Sequence, residues 1–219
     1  MERYLLEPMN ALTHLVGALG AAIGWALLVI VVWGDAARLV TLSVYGASMV
    51  LLYVTSTIFH GVKLPPRRRF WLNRADHVAI FVVIAGTYTP IVYHLFPQAW
   101  RWPVLAIIWG VALLGAAYKL FSRRIHGLFN ASIYPLLSWA GVVPGLLAYR
   151  ARPLVPTEGI WLLFGGGLIY MVGFVIYYRQ RPDPWPRILG HHEIWHLCVM
   201  GGSLAHFLFM LFYVAGWPS

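Results

Sequence analysis

The sequence predicts an all-α integral membrane protein: a seven-transmembrane helix bundle with a cytoplasmic N-terminus and an extracytoplasmic C-terminus. Three observations predict it. Of the 219 residues 60% are hydrophobic and 11% charged, with a mean hydropathy of +0.72. A soluble domain carries roughly 25% charged residues, so this chain cannot clothe a water-facing surface and its solvent is lipid. Seven long apolar runs recur along it, and its basic residues crowd into alternate loops.

The runs fall at about 10–33, 38–60, 75–96, 102–121, 128–148, 159–178 and 191–216. At 1.5 Å per residue each extends ~30–39 Å, enough to cross the hydrocarbon layer with some tilt. None alternates apolar and polar residues as a barrel strand of ~10 residues does. The first run follows MERYLLEPMN, which lacks the basic start and short apolar core of a cleavable signal peptide, so it is expected to persist as a span. Gly20 and Gly24 in the first run, and Gly141 and Gly145 in the fifth, have the spacing of close helix contacts and are read as packing positions. Pro90, Pro135 and Pro144 are tolerable inside membrane helices, where neighbours satisfy the freed backbone groups. No soluble domain, low-complexity tract or linker beyond about 15 residues separates the runs, so residues 1–219 are read as one membrane domain. The 11 tryptophans and 12 tyrosines suit aromatic belts at both interfaces.

Charge sets the orientation. Arg3 precedes the first run; Lys63, Arg67, Arg68, Arg69 and Arg74 follow the second. Lys119, Arg123 and Arg124 follow the fourth, and Arg179, Arg181 and Arg187 the sixth. Only Arg38, Arg101, Arg150 and Arg152 lie on the other side. Twelve against four puts the N-terminus in the cytoplasm. The formal charge of +9 and pI near 10.0 therefore reflect topology and anionic headgroups, not nucleic acid. Cys198 is the single cysteine, so no intrachain disulfide forms.

Ionisable groups are costly at membrane depth, and several at one depth suggest a site. His60 ends the second run, Asp76 opens the third, and His192 and His196 occupy the first turns of the seventh, all at the cytoplasmic face. His192 and His196, four apart, share a helix face and can grip one ion. Ser56, four before His60, can help orient the site. Asp76 either ligates directly or holds a water on the metal. Zinc is the expected ion, because imidazole suits it and it makes no redox demand. Three protein ligands plus water is the layout of a catalytic zinc. The same residues would also serve a structural zinc stapling spans two, three and seven; a metal-free layer of interfacial histidines is the reading for any one of them alone, but four groups meeting at one depth from three spans favour a metal. His192-Glu193-Ile194-Trp195-His196 also matches H-E-x-x-H, with Glu193 as the general base of a zinc protease. No Asp or Glu follows Glu193 to complete that ligand set. His206, ten residues past His196 and ~15 Å deeper, is too far to share the ion; it is expected to line a cavity or hydrogen-bond across helices. His14 is expected to buttress the ligands. His77, His94, His126 and His191 are read as interface residues.

Asn10-Ala-Leu-Thr13-His14, Ser56-Thr-Ile-Phe-His60, Asp76-His77 followed by Ala85-Gly-Thr-Tyr-Thr-Pro90, and His192-Glu-Ile-Trp-His196 with Ser203 and His206-Phe207 occur in this order. Together they resemble the bacterial hemolysin III branch of the progestin and adipoQ receptor superfamily, from the first span to the seventh. The resemblance implies seven helices, the orientation deduced from charge, and a multi-pass bacterial cell-membrane location. It implies zinc on His60, His192 and His196, a zinc-bound water held by Asp76, and support from Ser56. The long N-terminal extension of the receptor relatives does not precede the first span, an expectation against hormone-receptor signalling.

Three functions are compatible with this. The first is a zinc-dependent hydrolase of lipid amides or esters in membrane-lipid homeostasis, resembling a ceramidase, with Asp76 as general base, Ser56 assisting the oxyanion and membrane lipids as partners. The second is a non-enzymatic membrane sensor or receptor-like regulator with structural zinc. The third is a hemolysin-type pore-forming cytolysin, disfavoured because the mid-span residues are overwhelmingly apolar.

Overall fold

A computed structural model describes residues 6–122, 127–151, 154–185 and 188–216; Arg3, Arg123, Arg124, His126, Arg152 and Arg187 lie outside the described residues. The helices are α1 (Pro8–Val31), α2 (Ala36–Gly61), α3 (Pro66–Leu95), α4 (Gln98–Phe121), α5 (Leu128–Ala140), α6 (Val142–Ala151), α7 (Thr157–Arg179) and α8 (His191–Phe209). The last runs on as a π-helical turn over Met210–Ala215. Among the described residues, seven stretches are long and apolar enough to cross a membrane, with α5 and α6 sharing the fifth and α8 with its π turn forming the seventh.

Two boundaries differ from the sequence reading. The third helix starts at Pro66, about ten residues before the apolar run, so Asp76 lies well inside α3 and does not open it. Pro66 pre-sets the first turn. The arginines that follow are good helix formers, and Phe70 and Trp71 lie exposed beside them, as an interfacial stretch requires. The fifth span is broken at Gly141. Pro144 carries no N–H to continue the ladder into the preceding turn, which is where the helix re-forms.

The α1–α2 turn places Gly34 at φ +96, where a side chain would be strained. Asp35 then caps α2, its carboxylate accepting from the Arg38 amide at 2.9 Å. Two loop cations counted as topology signals turn out to be buried. Arg74 donates to the Leu120 and Ser122 carbonyls at 3.2 and 2.6 Å, satisfying the C-terminal carbonyls of α4. Lys119 donates to the Asn130 carbonyl at 3.1 Å, tying α4 to α5.

Neighbours in sequence pack side by side from α1 to α4, α7 packs on α8, and α8 returns to α1 to close the bundle. One core of Leu28, Leu42, Tyr53, Phe209 and Met210 fills the space between α1, α2 and α8. A second, around Phe81, Ala85, Val92 and Ile108, joins α3 to α4. Leu19, Ile23, Ile107, Leu114 and Leu168 point outward, the apolar exterior that lipid accepts and water does not. Exposed tryptophans mark both ends: Trp33, Trp102 and Trp161 at one, Trp71 and Trp185 at the other.

Of the four glycines paired by spacing, Gly24 meets Phe207 and Gly141 meets Tyr88, whereas Gly20 and Gly145 meet nothing within 4 Å. The tighter contact on α1 is Gly17, where a Cβ would stand 2.6 Å from the Tyr53 ring. That approach lets Tyr53 sit edge-on against His14 at 5.2 Å.

Candidate metal centre

Antiparallel helices of similar length return to the same level at every second turn. The C-terminal end of α2, the early part of α3 and the N-terminal turn of α8 therefore meet at one end of the bundle. His60, His192 and His196 converge there, with one ring nitrogen of each within 4.8 Å of the others. Their ring centroids are 4.9 Å (His60–His192), 5.1 Å (His60–His196) and 4.8 Å (His192–His196) apart. His60 and His196 are buried.

The second nitrogens explain the aim of the first. His60 donates from Nδ1 to Glu7 Oε2 at 2.6 Å. Glu7 also accepts from the Asn10 amide at 3.1 Å and lies 3.7 Å from the Arg69 guanidinium. The His60 hydrogen bond holds the Glu7 carboxyl at about 2, well below the ordinary 4.5 and against the opposing effect of burial. His196 Nδ1 lies 3.1 Å from Thr13 Oγ1. Because the Thr13 hydroxyl spends its proton on the Asn10 carbonyl at 2.9 Å, the threonine oxygen accepts and His196 donates. Both imidazoles thus present Nε2 lone pairs inward, the arrangement that suits a divalent ion of the zinc type. Ligand nitrogens on one zinc stand about 3.4 Å apart, so ring rotations of roughly an ångström close the set. Three imidazoles suit that ion and make no demand for redox chemistry.

His14 stacks on His196 with centroids 3.6 Å apart and planes 16° from parallel. Both its nitrogens are buried without a hydrogen-bond partner among the described residues. It is therefore a neighbour of the triad, as its place in the first span suggested. Asp76 and Ser56 both line the same cavity. Tyr177 packs edge-on against His192 at 5.3 Å.

Glu193 corrects the sequence reading. Its carboxylate accepts from the Gly190 amide at 2.9 Å, satisfying one of the open amides at the start of α8. It does not line the cavity, its carboxylate being turned back onto the Gly190 amide. His206 lines the cavity, and its Nε2 lies 3.2 Å from the Leu163 carbonyl on α7. His77, read as an interface residue, also lines the cavity. Glu7 went unnoticed in the sequence, since a lone glutamate before an apolar run carries no spacing signal.

The triad sits at the end of a cavity of about 800 Å³. Its lining on α3 runs from Asn73 to Leu95, roughly 33 Å of helix rise. Ile80, Ile84, Val199, Phe174 and Leu163 make most of that length apolar.

Residues 3–207 match the family model described as Haemolysin-III related. The hemolysin-3 homolog of Bacillus subtilis (strain 168) is 35% identical over 217 residues, 97% of this chain and 96% of that protein. Hemolysin-3 of Bacillus cereus is 35% identical over 213 residues, 95% of this chain and 91% of its own length. The human monocyte to macrophage differentiation factor is 27% identical over 206 residues, covering 90% of this chain and 80% of that protein. With seven spans and that similarity along nearly its whole length, the chain belongs to the haemolysin-III-related family and is a multi-pass protein of the bacterial cell membrane.

Proposed function

We propose that the protein is a zinc-dependent hydrolase of lipid amides or esters, working at the cytoplasmic interface in membrane-lipid homeostasis. One observation carries this reading: three imidazoles aimed at one point close the end of a long apolar cavity that also presents Asp76 and Ser56. His60, His192 and His196 would hold the ion. When bound, zinc supplies the Lewis acidity that makes water nucleophilic near neutral pH. Asp76 takes the proton from the attacking water and returns it to the leaving amine or alcohol, with Ser56 in the same cavity wall to assist the oxyanion. The apolar wall beyond Asp76 binds an acyl chain, aligns its carbonyl with the triad and excludes bulk water. The excess of basic residues at this end supports its cytoplasmic placement.

The test is elemental analysis of detergent-purified protein, paired with mass-spectrometric assay of lipid amides and esters. The wild type should carry one zinc per chain, and His192→Ala/His196→Ala none while still folded. Asp76→Asn should keep the zinc and lose about 10²–10⁴-fold in turnover. A zinc-loaded wild type that turns over no lipid, but whose melting temperature falls on chelation, would favour a structural zinc instead.

A further inference from the structure

Nothing in the proposed chemistry requires the first helix, yet its opening turns touch two of the three imidazoles. Glu7, Asn10 and Thr13 follow one another at intervals of three along the same face of the chain's first helical turns. They form a continuous hydrogen-bonded strip. Asn10 donates from its side chain to Glu7, and Thr13 donates to the Asn10 carbonyl. The strip ends in two acceptors, Glu7 Oε2 on His60 Nδ1 and Thr13 Oγ1 on His196 Nδ1. It is held in place by main-chain bonds from the Leu6 and Glu7 amides to the Gly61 and His60 carbonyls at 3.3 and 2.9 Å.

We propose that Glu7 and Thr13 are positioning residues that set the tautomers of His60 and His196, so that α1 orders the metal centre without supplying a ligand. The inference rests on the reading of this triad as a metal site, but the tautomers themselves can be measured without metal. A neutral imidazole carries one proton, and the nitrogen that holds it cannot ligate. An acceptor fixed at Nδ1 keeps the proton there and leaves the Nε2 lone pair free for the ion. Each acceptor does this for a ligand on another helix: Glu7 for α2 and Thr13 for α8. The junction of α1 with α2 and α8 thereby aims two imidazoles that come from opposite ends of the chain. Glu7 adds a negative charge behind the ring, the carboxylate–histidine pairing that orients a metal-binding imidazole. Thr13 adds geometry alone.

The experiment is nitrogen-15 NMR of the histidine rings in metal-free full-length protein, at alkaline pH where imidazole is neutral, followed by zinc affinity from chelator competition. In the wild type, His60 and His196 should both be Nδ1–H. Glu7→Ala should release His60 alone to a tautomer mixture and weaken zinc binding about 10–100-fold. Thr13→Val should release His196 alone, and Thr13→Ser should restore it. Glu7→Gln keeps an acceptor, so it should retain the tautomer while losing part of the affinity. Locked tautomers that the variants release support the proposal even if no zinc binds, in which case only the metal reading fails. Wild-type rings protonated on Nε2, or variants that leave both tautomers and affinity unchanged, overturn it.

Discussion

Thr13 with His196 at one end of the bundle and Thr41 with His94 at the other are the same device in different company. Thr41 Oγ1 lies 2.9 Å from His94 Nε2 and donates its own proton to the Ala37 carbonyl at 2.9 Å, so here too the threonine accepts and the histidine donates. The two levels are separated along α2 by Thr41 and His60, roughly 28 Å of helix rise. At the far end His94 has Tyr93 and the Asp35–Arg38 pair nearby, and that pair closes on itself at 3.0 Å. At the near end the free edges of three rings face one another. A satisfied histidine is therefore no site. What marks a site is several ring nitrogens brought to a common point, with the other nitrogens of His60 and His196 already committed.

The largest effect should come from exchanging the two histidines in a test. His196→Ala should abolish stoichiometric zinc, whereas His94→Ala should leave zinc content untouched and cost about 1 kcal/mol of stability, the usual value of one hydrogen bond. Equal loss of zinc in both variants, by elemental analysis, would erase the contrast between the ends.

A comparable stability effect is expected from the far-end cap. Asp35→Ala should cost about 1 kcal/mol by thermal melting. The Arg38 amide, aided by its guanidinium, holds the Asp35 carboxyl below its ordinary 3.8. A depressed folded value means the stabilisation is complete above 3.8 and disappears as pH falls through the lower folded value. Asp35→Asn keeps the cap but has no charge to lose, so this part of the acid destabilisation should vanish. A melting curve with the same acid limb in wild type and Asp35→Asn would refute it.

The smallest effect belongs to Glu193. As a capping residue its replacement by alanine should cost about 0.5 kcal/mol and leave zinc content and lipid turnover intact. Loss of activity at full zinc occupancy would restore the protease-like role that the H-E-x-x-H spacing suggests.

Much of the architecture was legible because lipid imposes simple rules. Runs of apolar residues had to be helices, and their alternation carried His60, Asp76, His192 and His196 to one end before any packing was known. Local spacing sufficed for His192 and His196, which share a helix face. It misled for Glu193, where a motif of five residues says nothing about which group the carboxylate meets. It was silent on Glu7 and on the kinship of Glu7, Asn10 and Thr13, whose meaning lies in rings contributed by α2 and α8. The long start of α3 and the break at Gly141 were also hidden, since hydropathy reports where lipid begins and not where backbone hydrogen bonds do.

The sequence by itself determined the number of crossings, the level of each ionisable group and the two-residue grip on α8, because these depend only on apolar length, charge and the 3.6-residue turn. Tertiary structure alone decided which nitrogens point inward, which loop cations are buried and where the cavity runs. Those depend on distances between helices remote in the chain, set by contacts as local as the Tyr53 ring against Gly17, and no one-dimensional pattern encodes such distances.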